Sequence, residues 1–168
     1  MDTKGRLFRI RSILIFFVLA LGFSGLTAIP LRFELNILNS IAGEGTNIEA
    51  LAPSLSHWIS LVNRAIEDLY QDYAFLAYGY DWLAFGHFVI AIAFIGAVKD
   101  PIRNRWVLEF GMIACVLIIP YALILGHFRE IPLLWRMIDM LFGILGIIPL
   151  YFARKMTLKL ESEFISAG

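Results

Sequence analysis

Residues 106–125 read WVLEFGMIACVLIIPYALIL, with Glu109 as the one charged side chain in the stretch. A helix on the surface of a soluble domain would show a polar face; this segment is apolar all round, as a segment solvated by lipid must be. A hydrocarbon core of about 30 Å takes about 20 such residues in a helix. Residues 133–152, LLWRMIDMLFGILGIIPLYF, repeat the pattern with Arg136 and Asp139 inside it. Residues 13–31 carry no charge, and residues 82–98 contain His87. Lipid offers no partner to unpaired backbone groups, so all four stretches are expected to be helices. The fold class is therefore an all-α membrane protein. It is a four-helix transmembrane bundle in a single domain over residues 1–168, with an outer segment at residues 32–81 between the first two spans.

Composition agrees. The 168 residues are 60% hydrophobic and 17% charged, where soluble domains run about 45–50% and about 25%. Net charge is zero, and no basic patch with interleaved aromatics points to nucleic acid. The single cysteine, Cys115, excludes an internal disulfide or a CxxC pair. Within its apolar run it is a small packing residue. The first span follows Lys4, Arg6, Arg9 and Arg11, as a secretory signal would. It is longer than a signal's apolar region of about 7–15 residues, and Leu26 is too large for the position three before a cleavage after Ala28. The expectation is an uncleaved anchor.

Charge asymmetry gives the direction. Lys4, Arg6, Arg9, Arg11, Lys99, Arg103, Arg105, Arg154, Lys155 and Lys159 fall on one side; Arg32, Arg64 and Arg129 fall on the other. The positive-inside rule places the first group, and with it both termini, in the cytoplasm. Trp82, Trp106 and Trp135 stand near the expected interfaces, as aromatic belts do.

In the outer segment Gly43-Glu44-Gly45-Thr46-Asn47 is a turn region and Pro53-Ser54 a helix start. From there to Ala77, Leu55, Trp58, Ile59, Val62, Ile66, Leu69 and Tyr73 recur at helical spacing, opposite Asn63, Arg64, Glu67, Asp68, Gln71 and Asp72. This is an amphipathic helix whose apolar face can lie on the membrane, cap the bundle or bind a partner. His57 on it has no second histidine at i+3 or i+4 and reads as a surface residue.

Charge at membrane depth is costly, about 2.5–3.5 kcal/mol for Asp or Arg at mid-helix on insertion scales, so each instance asks for a partner. Arg136 and Asp139 share a helix face, and Gly143 and Gly146 continue it, so that face should point into the bundle. By helical rise, Asp139 lies about 10 Å below the outer boundary, with His87 at similar depth. His127, Asp81, Arg32, Glu34 and Arg129 collect nearer the outer surface. On one reading this is a structural network in which Arg136 pairs with Asp139 or Asp81. On the other it is an outward-facing pocket for a small ligand, metal or headgroup, with His87 and Asp139 at its base and Arg136, Asp81 and His127 around it. His87 and Asp139 are candidate zinc ligands without a spacing motif, and His87 with His127 raises haem. On the cytoplasmic side Glu109 is expected to pair with Arg103 or Arg105. Pro120 and Pro149 interrupt the last two spans. Small-residue stripes, Gly22-Gly25-Ala28 and Ala84-Gly86-Ala91-Ala93-Gly96, read as packing surfaces within the bundle or between protomers.

No G-x-x-x-x-G-K-[ST], H-E-x-x-H or G-x-S-x-G motif occurs, and no internal repeat marks an inverted-repeat carrier. Three stretches do resemble a known group: Tyr78-Gly79-Tyr80-Asp81-Trp82-Leu83-Ala84-Phe85-Gly86-His87, Lys99-Asp100-Pro101-Ile102-Arg103-Asn104-Arg105-Trp106 and Arg136-Met137-Ile138-Asp139. They are similar to bacterial four-span membrane proteins with no assigned activity. That resemblance implies a topology and a bacterial inner membrane, and no chemistry. The functional expectation is a non-enzymatic accessory or scaffold protein. Beside the lipid bilayer it would have a second copy or another membrane protein as partner. The alternatives are a small-ligand or metal-binding protein, an enzyme included, and a proton-coupled transporter linking Glu109 to His87.

Overall fold

The computed structural model describes residues 3–167. They form α1 (Thr3–Ala28), α2 (Leu31–Ala42), α3 (Pro53–Asp72), a 3-10 turn (Ala74–Ala77), α4 (Tyr78–Lys99), α5 (Arg105–Phe128) and α6 (Leu133–Ala167), with no strand among the described residues. Four of these helices, α1, α4 with its leading 3-10 turn, α5 and α6, are long and apolar enough to cross a membrane. Each leaves most of its apolar surface uncovered: Phe16, Phe23, Ile92, Leu117, Phe142 and Leu145 are all more than half exposed. In water that surface would be intolerable; in lipid it is the solvated face.

The four long helices form two antiparallel pairs, α1 with α4 and α5 with α6, and α1 joins them by packing on α6. The start of α1 and the end of α6 lie on one face, here the terminal face, where Arg6 and Glu163 pair. The core sits in the half nearest that face: Ile10, Leu14, Phe94, Ala97, Leu108, Leu150, Ala153 and Leu160 are fully or almost fully buried. Glycine permits the close approaches there. A Cβ on Gly111 would stand 2.6 Å from Phe94 and 2.8 Å from Leu150. In the opposite half the buried positions lie within each pair. Gly25 of α1 admits His87 and Ala84 of α4, with a Cβ there only 2.8 Å from the His87 Cβ. Gly143 of α6 lies against the Cys115 carbonyl of α5.

Helix ends on the terminal face are tied by side chains. Arg11 of α1 donates to the Val98 and Lys99 carbonyls at the end of α4, at 3.1 and 3.0 Å. A cation there also meets the negative end of the helix dipole. The Asn104 amide donates to the Gly96 and Asp100 carbonyls, and the Asp100 carboxylate accepts from the Arg103 amide. These bonds fold residues 100–104 into a compact link. On the other face α5 closes with Ile131 N–H bonded to the Gly126 carbonyl and Glu130 N–H to that of His127. Glu130 takes the left-handed conformation, φ 57°, so this is a Schellman cap with glutamate where glycine is usual.

The connection between α1 and α4 departs from the sequence expectation. The first helix ends at Ala28 rather than Leu31, and Pro30 restarts the chain as α2. The amphipathic helix ends at Asp72 rather than Ala77. Its apolar face meets α2, not the bundle ends, so α2 and α3 form a helical hairpin. Leu35, Ile59 and Ile66 are buried. Arg32 grips Glu67 at 2.5 and 2.9 Å, and Asn36 donates to the same carboxylate. Ser60 accepts from the Glu44 amide and donates to Asn39. Glu44 itself is held by His57 at 2.6 Å and Arg64 at 3.1 Å. Helix α2 also carries an outward stripe of Phe33, Ile37 and Ile41, exposed by 44–65%.

Candidate functional site

The five residues expected around an outer pocket occupy different settings. His87 sits toward the end of the α1–α4 contact away from the terminal face, its Cβ against Gly25. Its Nδ1 lies 2.8 Å from the Leu83 carbonyl one turn back. An oxygen acceptor requires the proton on Nδ1.

Arg136 leaves α6 and crosses to α5. Its aliphatic arm lies where a Gly126 side chain would be, and it donates to the Leu123 carbonyl at 3.2 Å. The expected pairing of Arg136 with Asp139 or Asp81 does not occur. The reason is local: the last turn of α5 offers carbonyl oxygens and a negative dipole end, and Gly126 opens the way to them. The Arg136 Nε is buried without a hydrogen-bond partner among the described residues.

Asp139 is half-buried, one turn in from Arg136. Its helical position places it between the direction of Gly143, which faces α5, and that of Gly146, whose Cβ would approach Phe17 of α1. It therefore points between the helices. Among the described residues it has no hydrogen bond and no ion pair. Asp81 is exposed on the first turn of α4, where the helix dipole favours a carboxylate. It lies in a shallow dip with Tyr78, Trp82 and Phe85. These three aromatics run edge to face at 5.9 and 5.5 Å. His127 is exposed at the end of α5, its ring against Phe128.

No hydrogen bond or ion pair joins His87 to Asp139. Among the described residues no group of three or more His, Cys, Asp or Glu side chains could hold a metal ion. Zinc at His87 and Asp139 thus lacks a third protein donor, and a haem between His87 and His127 has no further support.

The strongest polar cluster lies elsewhere, at the terminal face between α5 and α6. Glu109 is held by Arg154 at 3.0 Å and Arg105 at 3.6 Å, and Arg105 reaches Glu161 at 2.9 Å. The expected pairing with Arg105 is present; the shorter one with Arg154 went unforeseen. The signal existed. Glu109 lies one turn inside the start of its span and Arg154 just past the end of the next, so antiparallel packing brings them to one depth. The second missed element is α2, whose Leu31, Leu35, Leu38 and Ala42 already recur at helical spacing.

The fold defines a four-span, all-helical protein of the membrane type. No family model, curated protein or solved structure matches the chain.

Proposed function

We propose that this is a non-enzymatic accessory or scaffold protein of the bacterial inner membrane, with both termini in the cytoplasm and the α2–α3 hairpin on the outer side as its interaction element. Orientation rests on the ten cations at the terminal face against three at the hairpin face. The observation that carries the function is the hairpin itself. Its charged groups Arg32 and Glu67, and Glu44 and Arg64, pair with one another inside the hairpin. It nevertheless turns Phe33, Ile37 and Ile41 outward at the edge of the membrane. A helix face of this kind is suited to pack against another helix. Photo-crosslinking residues placed at Phe33 and Ile37 in living cells test it. The expected result is one discrete adduct, with a second copy or with another membrane protein, absent when the probe is at Ile92. Recovery of lipid adducts alone from all three positions, with a monomer in detergent, would remove the proposal.

A second reading, a pocket for a small ligand or metal and so an enzyme in the wider case, is supported by Asp139 alone, an intramembrane carboxylate without a protein partner. The proton-coupled transporter has least behind it, because Glu109 is tied between two guanidinium groups.

A further inference from the structure

We propose that the furrow between α5 and α6 toward the terminal face binds one anionic phospholipid, an acyl chain lying along it and the phosphate resting on Lys155 and Lys159. The furrow is lined by Met112 of α5 and by Ile147, Ile148, Tyr151 and Phe152 of α6. Apart from the Tyr151 hydroxyl, every lining side chain is apolar. Being open to the side on a membrane span, the furrow meets acyl chains and not water.

The charges just beyond it decide which lipid. On α6, Ile148, Phe152, Lys155 and Lys159 follow one another at steps of four, three and four, with Tyr151 one turn before Lys155, so they form one stripe. Lys155 lies about 6 Å along the axis beyond Tyr151, and Lys159 about 6 Å further. That is where the apolar run ends and phosphates begin. The neighbouring cations are engaged: Arg154 with Glu109, Arg105 with Glu109 and Glu161, Arg6 with Glu163. Among the described residues Lys155 and Lys159 are exposed and have no ion-pair partner. The nearby carboxylates are already covered by arginine, so they do not repel a phosphate. Two exposed ammonium groups outside any ion pair, at the mouth of an apolar furrow, complement a lipid that carries net negative charge, and offer a zwitterionic one little.

Each lysine near an anionic headgroup is worth about fivefold in affinity, or roughly thirtyfold for the pair. The test is native mass spectrometry of the full-length protein, titrated with phosphatidylglycerol and with phosphatidylcholine of matched chains. The unaltered protein should retain phosphatidylglycerol at least about tenfold better. Lys155→Gln with Lys159→Gln should abolish the preference, and Ile148→Trp, which fills the furrow, should lower retention of both lipids. Lys4→Gln with Arg9→Gln, elsewhere on the same face, should change nothing. The proposal fails if the unaltered protein shows no preference, or if the double lysine variant keeps it. It fails equally if Ile148→Trp is without effect, or if the Lys4 and Arg9 variant loses as much, since the attraction is then diffuse.

Discussion

Asp139 and Arg136 sit three residues apart on one face of α6 and do not pair. The guanidinium is drawn across Gly126 to a carbonyl of α5, and the carboxylate is left half-buried without a partner among the described residues. Residue types and spacing made both conspicuous in the sequence. Their partners were not legible, because the competing acceptor belongs to another helix and only tertiary packing brings it near. An unpaired carboxylate at this depth is a net cost, reduced by its position between helices rather than against lipid. Asp139→Leu is therefore expected to raise the thermal stability of the detergent-solubilised protein, by about 1–2 kcal/mol out of the roughly 3 that insertion scales allow. A fall in stability would show that the carboxylate holds something, and would turn the balance toward the ligand pocket.

At the scale of elements, long apolar periodicity was the easy part. All four membrane-length helices were legible, since each is too apolar to be anything else. The α2–α3 hairpin was half legible. Its second helix had a strong stripe and a proline start; its first was obscured because Leu31 continues the apolar run of the preceding span. The hairpin's ion pairs make it sensitive to acid. Arg32 and then Asn36 hold the Glu67 carboxyl below the usual carboxylate range; His57 and then Arg64 do the same for Glu44. A value lower in the folded state means stability that is present above the unfolded value of about 4.3. It is lost as pH falls through the folded value. Both pairs are exposed, so the effect is local and modest. Protection factors of amides in α2 and α3, corrected for intrinsic exchange, should fall between pH 6 and pH 3 while those of α5 hold, and Glu67→Gln should blunt the change. Equal protection of the hairpin at both pH values would show that its apolar seam alone holds it.

For the whole molecule, the sequence carried the four membrane-length helices but not their pairing, because lipid-facing and partner-facing apolar residues look alike along a span. What distinguishes them is glycine at Gly25, Gly111 and Gly143, where neighbours approach too closely for a side chain. Threading is directly testable with Cys115→Ser as background. Asn47→Cys, in the link between α2 and α3, should react with a membrane-impermeant maleimide in intact cells. Ser162→Cys, near the end of α6, should react only after permeabilisation. The reverse order would invert the topology and move the hairpin into the cytoplasm.

The placement of the core near the terminal face has a mechanical consequence. Two pairs of rods clasped at one end behave as a lever with its fulcrum there. Over about 24 Å of helix, a change of about 10° at the clasp carries the far tips apart by about 4 Å. Lateral tension in the leaflet around α2 and α3 thus acts on the longest available arm, and the Arg6–Glu163 pair between α1 and α6 is the bearing on which that arm would turn.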